Sequence, residues 1–258
     1  MVSTAREQQG RLLSRQGCPQ RLLEEGPQLR AAIEAAGLVP FGTVPAMHTG
    51  TDEATWRLNF QAAAAAGART VRLTPKAYPA GLFDYPAFLK EVVAAYERAI
   101  AIARPLGVKP VIEMHSGNLA ITPGLALQIV EHFSPQDIGL ILDLPNFARE
   151  GGVHPQLCLS VVRDYVDHCH LGGYRKNGGQ YDAYGFRQNT GEMCALSESD
   201  LPIPRWIELL AELATPQRPI PLIIEDYSAN ISGELRLRRS VAEARRLPQL
   251  ALPQIKRA

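Results

Sequence analysis

What this chain of 258 residues lacks narrows its reading first. It has four cysteines, Cys18, Cys158, Cys169 and Cys194, and no CxxC pair among them. A chain of this length buries enough core to do without disulfide staples, so the four read as reduced thiols, with Cys169 packed inside a strand. Net charge is also lacking. With 27 basic against 26 acidic residues, the balance is +1, without a basic run or an acidic tail. Electrostatics therefore give no footing to a nucleic-acid or membrane-surface partner. No apolar run approaches the roughly 20 residues of a membrane span. The opening MVSTAREQQGRLLSRQG has no apolar stretch of the kind a secretory signal carries. The expectation is a cytoplasmic globular protein with no nucleic-acid and no membrane partner.

What is present is a rhythm. Strand-like apolar runs at 38–44, 69–74, 109–115, 138–144, 165–171 and 220–227 alternate with helix-like runs at 22–36, 52–66, 84–105, 120–133, 155–164, 203–214 and 233–246. Asp52 and Asp84 stand where helix-capping oxygens belong, and Gly37, Gly67 and Gly107 follow helices, where a left-handed residue is expected. Alternation of this kind predicts βα units and a parallel sheet, as a (β/α) barrel or a doubly wound sheet. No linker divides the chain, so residues 1–258 read as a single domain. One segment breaks the rhythm. Residues 172–200 are rich in Gly, Tyr and Asn without clean periodicity, and following a strand they read as a long active-site loop over the C-terminal mouth.

The last four strands share a feature that apolar strands do not need. By period-2 alternation, Glu113 shares a face with Val111 and His115. Asp143 shares one with Ile141 and Pro145, His170 with Val166 and His168, and Glu225 with Ile223 and Tyr227. Any one of these alone reads as an ion pair or a cap. Four consecutive strands each ending in a metal-type ligand by accident is on the order of a one-in-a-hundred event. Three carboxylates and an imidazole converging on one point need a cation, because like charges at close range otherwise force protonation. The donor set suits Mn²⁺, Mg²⁺ or Co²⁺, with Zn²⁺ a further candidate. His115 and Asn146 are candidate substrate contacts, and His168, an interior residue that could support the site, is counted among the substrate-binding candidates with them. Asp226 points away from Glu225 toward a helix. His48, His132 and His154 read as surface residues, and Lys76 as a solvated lysine or an anion contact.

The ordered set VIEMHSG, ILDLPNF, DHCHLGG and LIIEDYS resembles the xylose isomerase-like superfamily of TIM barrels, over about residues 28–246. That superfamily includes sugar and sugar-phosphate isomerases and epimerases, sugar-acid dehydratases and the endonuclease IV group. The resemblance implies one divalent ion held by Glu113, Asp143, His170 and Glu225. It also implies that Glu113 and Glu225 move protons beside a sugar carbonyl through an enediolate. The expected function is thus a metal-dependent isomerase or epimerase of a small sugar or polyol. A metal-dependent dehydratase and a degenerate, non-catalytic barrel are the alternatives. Abasic-site cleavage is disfavoured by the shortage of histidines on barrel-facing positions and of basic patches.

Three departures from the epimerase pattern stand out. Asn146 occupies the place, three after the aspartate, where the epimerases usually carry His. The interval from His170 to Glu225 is 55 residues, against 30 and 27 for the two before it, and the excess is the 172–200 segment. Tyr174, Arg175, Lys176 or Arg187 of that segment are expected to set specificity, with Arg175 and Lys176 the foremost substrate-binding candidates. Finally, Glu113 belongs to the fifth strand in the family, yet only two strand-like runs precede it. The expected barrel therefore lacks its first one or two strands, its open edges covered by the N-terminal segment or by a partner in a homodimer.

Overall fold

The computed structural model describes residues 18–149, 154–179, 191–228 and 231–255. Arg187 lies outside the described residues. The chain forms two compact units, one of residues 1–112 and 129–139, the other of residues 113–128 and 140–258.

The first unit carries helix α1 (Cys18–Ala35), strand β1 (Gly42–Thr43), α2 (Glu53–Ala65), β2 (Thr70–Arg72), α3 (Tyr85–Ala103) and all but the last residue of β3 (Lys109–Glu113). The helices start where side-chain oxygens can satisfy the orphan N–H groups of a first turn. Asp52 accepts from the Thr55 N–H at 2.9 Å and Asp84 from the Ala87 N–H at 3.0 Å. Gly37, Gly67 and Gly107 adopt φ of 72°, 75° and 67°, the left-handed turns expected of them. β1 pairs with β2 and β2 with β3, all parallel. The core of this unit gathers Trp56, Phe60, Val71, Leu73 and Tyr96. The Tyr96 hydroxyl donates to the Leu73 carbonyl at 2.6 Å, and its burial raises the phenol well above its ordinary pKa.

In chain order there follow α4 (Pro123–Val130), β4 (Gly139–Asp143), α5 (Leu144–Arg149), α6 (Pro155–Val162) and β5 (Val166–Leu171). After them come β6 (Gly173–Lys176), β7 (Gly191–Cys194), α7 (Ile203–Leu213), β8 (Leu222–Ile224) and α8 (Gly233–Ile255). Within the second unit β4 pairs with β5 and β5 with β8, again parallel. Leu140, Ile141, Leu142, Cys169 and Leu171 are fully buried, as strands covered on both faces require. Phe147 of α5 stacks on Trp206 of α7 with ring centroids 5.5 Å apart. Cys158, Cys169 and Cys194 are free thiols, and Cys169 is core packing as expected.

Six strands are thus in parallel ladders among the described residues, at the six places where the sequence put them, against eight in a complete TIM barrel. The 172–200 segment differs from its reading. Its two ends are not irregular but pair as an antiparallel hairpin, Gly173 opposite Cys194 through Lys176 opposite Gly191. Among the described residues no helix is long and apolar enough to cross a membrane.

Candidate metal centre

Four side chains of the second unit meet at the ends of its strands. Glu113 is the last residue of β3, Asp143 the last of β4, and His170 lies one short of the end of β5. Glu225 follows β8 directly, held in the ladder by its N–H on the Leu171 carbonyl at 3.1 Å. The register sets the relative heights of three of them. Asp143 is paired with His170, and His170 in turn with Ile223, two residues before Glu225. One layer deeper, Ile141 is paired with His168. A register shift between Leu140 and Ile141 sets this alignment.

One ligand atom from each of the four residues lies within 4.8 Å of the other three. The His170 Nδ1 is the hub, at 3.3 Å from Glu225 Oε1, 3.4 Å from Asp143 Oδ2 and 3.6 Å from Glu113 Oε1. It nevertheless has no hydrogen-bond partner among the described residues, although it is fully buried. An imidazole nitrogen ringed by three carboxylate oxygens, in contact with all and bonded to none, is the arrangement expected around a cation. Two ligands on opposite sides of one ion at 2.0–2.4 Å stand about 4–5 Å apart, so the cluster has the span of a single coordination sphere. The buried Glu/Asp/His cluster could therefore hold a metal.

Without the ion, the electrostatics are lopsided. Burial pushes the His170 imidazole down, but Asp143, Glu113 and Glu225 more than offset it and raise its pKa to about 11. Burial raises the Asp143 carboxyl, and Glu113 adds to that, while the neighbouring His170 imidazole and the Asn146 N–H act to lower it. A proton on His170 and an ion are thus alternative ways of balancing the three carboxylates.

The other residues singled out in the sequence fall differently. Asn146 is buried beside the four: its N–H donates to Asp143 Oδ1 at 2.7 Å and its Nδ2 to Glu113 Oε1 at 3.3 Å. His168 is buried with its ring 5.3 Å from that of His170, its Nδ1 2.8 Å from Asp167 Oδ1. His115 is half-buried and turns its Nδ1 to the Ser116 carbonyl at 2.9 Å. Arg175 stands on the β6–β7 hairpin, paired with Glu198 at 2.7 Å and Glu192 at 3.5 Å. Lys176 is exposed and donates its backbone N–H to Asp200. Tyr174 is buried. Lys76 pairs with Glu91 at 2.5 Å and lies over the Phe88 ring. His48, His132 and His154 are exposed as read.

Two alternation readings fail. Pro145 does not extend β4, because the chain turns into α5 immediately after Asp143; Tyr227 lies beyond β8 and is 66% exposed. Asp226 does turn to the following helix, where Arg239 and Ser240 donate to Oδ2 at 3.1 and 2.8 Å. Sequence reasoning missed Gly172. A Cβ there would stand 2.6 Å from the Glu225 carbonyl, 2.8 Å from Pro145 Cγ and 2.9 Å from Met193 Cε. The doubled glycine directly after Leu171, at the end of β5, was the available signal.

Residues 16–246 match the family model described as xylose isomerase-like TIM barrel. No curated protein matches the chain. Among solved structures, a 3-keto-D-glucoside 4-epimerase from E. coli superposes with a TM-score of 0.65 at 15% identity, over 88% of this chain and 86% of that one. A xylose isomerase-like TIM-barrel protein from Mycobacterium smegmatis, in complex with magnesium, gives 0.59 at 20% identity, over 86% and 76%. A probable 3-DHS dehydratase from Bacillus anthracis gives 0.67 at 12% identity, over 88% and 84%. Likeness at these identities establishes the fold.

Proposed function

We propose that this chain, which belongs to the xylose isomerase-like TIM-barrel family, is a divalent-metal-dependent isomerase or epimerase of a small sugar or polyol. The observation that carries the reading is the buried, unbonded His170 Nδ1 inside its ring of three carboxylates. Glu113, Asp143, His170 and Glu225 would hold the ion. When bound, a divalent ion polarises a carbonyl and stabilises the negative charge that develops on adjacent oxygens.

The chain's own residues supply the proton chemistry. In this reading Glu225 takes the proton from the carbon beside the sugar carbonyl. Glu113 on the other side delivers a proton to the opposite face of that carbon to give the epimer, or Glu225 returns its own proton to the neighbouring carbon to give the isomer. Glu225 suits the entry side, with a side chain 22% exposed against 6% for Glu113, 5% for Asp143 and 3% for His170. His115, and Arg175 and Lys176 of the hairpin, are the proposed substrate contacts of this chain. The chain works as one domain in this reading, with the 172–200 segment over the mouth. Proteolytic cleavage within 180–190 that abolishes turnover but leaves the ion bound would support that placement.

Metal analysis of the purified protein, together with solvent deuterium exchange into a panel of ketoses, tests the function. A bound divalent ion that Glu225→Gln loses, with exchange into at least one ketose, is expected. Absence of an ion and no exchange would overturn it. The same base and ion also serve elimination, and the fold likeness to a dehydratase keeps that second reading in view. Loss of 18 mass units from the product would assign the chain to it.

A further inference from the structure

We infer that Asn146 is a positioning residue of the metal centre, and that its amide is committed to the ligands and not to a sugar hydroxyl. The inference rests on the metal reading above and starts from an abrupt piece of backbone. β4 ends at Asp143 and α5 begins at Leu144, with no intervening loop. Asp143 is therefore the residue before the first helical turn, and Asn146 the third residue within it. The Asn146 N–H donates to Asp143 Oδ1 at 2.7 Å, the bond of a helix N-cap. The other oxygen, Oδ2, is left to face His170 at 3.4 Å.

The Asn146 side chain reaches across to β3. Its Nδ2 stands 3.3 Å from Glu113 Oε1 and 3.5 Å from the Met114 carbonyl. Both neighbours are oxygen acceptors, so the amide must present its nitrogen to them, which fixes its orientation. Asn146 itself is 5% exposed. One residue thus touches both buried carboxylates of the quartet, Asp143 through its backbone and Glu113 through its side chain. Two carboxylates that repel each other are held at a set spacing by a donor between them. Outer donors of this kind orient metal ligands, and their loss typically costs about 10–100-fold in affinity.

The test uses Co²⁺ as the probe on the full chain, with affinity by calorimetry and coordination by the visible absorption of the bound ion. Asn146→Leu keeps the volume and the backbone N–H but removes the donor. It is expected to bind Co²⁺ about 10–100-fold more weakly, with an altered visible spectrum, and Asn146→His, which restores an N–H, is expected to recover part of both. Should Asn146→Leu fail to fold, Asn146→Ala decides on the same readouts. Wild-type affinity and spectrum in the folded variant would overturn the inference alone. A wild-type protein that takes up no divalent ion overturns the metal reading and this inference together.

Discussion

Replacing Gly172 with alanine gives a sharp test of how the centre is held. The added methyl carbon would stand 2.6 Å from the Glu225 carbonyl oxygen, where ordinary contact begins near 3.4 Å. About 0.8 Å must be found. Met193 Cε is the far end of a flexible chain and can yield, whereas the Pro145 ring and the Glu225 backbone cannot yield without moving the site. Overpacking of this kind costs about 1–3 kcal/mol. For a chain of this size that lowers the melting temperature by roughly 2–12 °C. The larger effect should be functional, because ligands need to be held within about 0.5 Å of their working geometry. A displacement near 1 Å costs on the order of 10²-fold in turnover. Gly173→Ala is the control. Its Cβ would meet the carbonyls of Cys194, at the end of β7, and of Ala195 just after it, and no ligand. Calorimetric titration with Co²⁺ and thermal melts of both variants give the comparison. Gly172→Ala should lose far more affinity than Gly173→Ala, although Gly173→Ala, whose Cβ would meet backbone closer still, should melt at least as low. Wild-type affinity in a destabilised Gly172→Ala would refute the reasoning.

Other expectations follow from the same geometry. With its folded-state pKa raised to about 11, His170 of the ion-free protein carries a proton at neutral pH, and an ion must displace it. Calorimetry in buffers of differing ionisation enthalpy should find about one proton released per ion, with affinity rising as pH increases toward that value. The sign for stability is the reverse: the ion-free protein keeps this contribution below pH 6.5 and loses it as pH rises through about 11. Although burial raises it, Asp226 is held below its ordinary pKa by Ser228, Ser240 and Arg239, so its contribution is present above pH 3.8 and fades as pH falls through the folded value. The stability gap between wild type and Asp226→Asn, measured by urea melts, should be about 1.5–3 kcal/mol at pH 7 and narrow in acid. Phe147→Ala removes a buried ring stacked on Trp206 and should cost about 3–5 kcal/mol in the same assay.

The sequence was most readable where the local signal was strong. Apolar runs located all six parallel strands, and alternation put Glu113, Asp143, His170 and Glu225 at or just past their ends, because these residue types are out of keeping with burial in an apolar strand. Boundaries were less legible. The run at 38–44 yields only Gly42–Thr43 as strand, and Pro40 has no N–H to give a ladder. The helix at 144–149 was invisible because LPNFAR follows an apolar strand without a polar turn. The β6–β7 hairpin escaped notice since its pairing joins residues 15 or more apart, and short Gly-bearing strands carry little periodicity of their own. Alternation also cannot say where a strand stops, which is why Pro145 and Tyr227 were assigned to faces they do not share. Gly172 could not be placed because its constraint is a contact with Glu225, 53 residues away in the chain.

The joint at Asp143 has a consequence for what this position can accept. Its two oxygens answer to separate demands, 2.7 Å to a helix N–H and 3.4 Å to the imidazole. Glutamate would keep the charge but overreach the cap by a methylene. Asparagine would keep the cap but lose the charge. Serine would cap the helix and contact nothing else. In most sites a ligand hangs from a loop that can absorb a change in length. Here strand and helix meet at the ligand itself, so there is no slack, and a drifting sequence has few ways to trade this residue without surrendering either the helix or the ion.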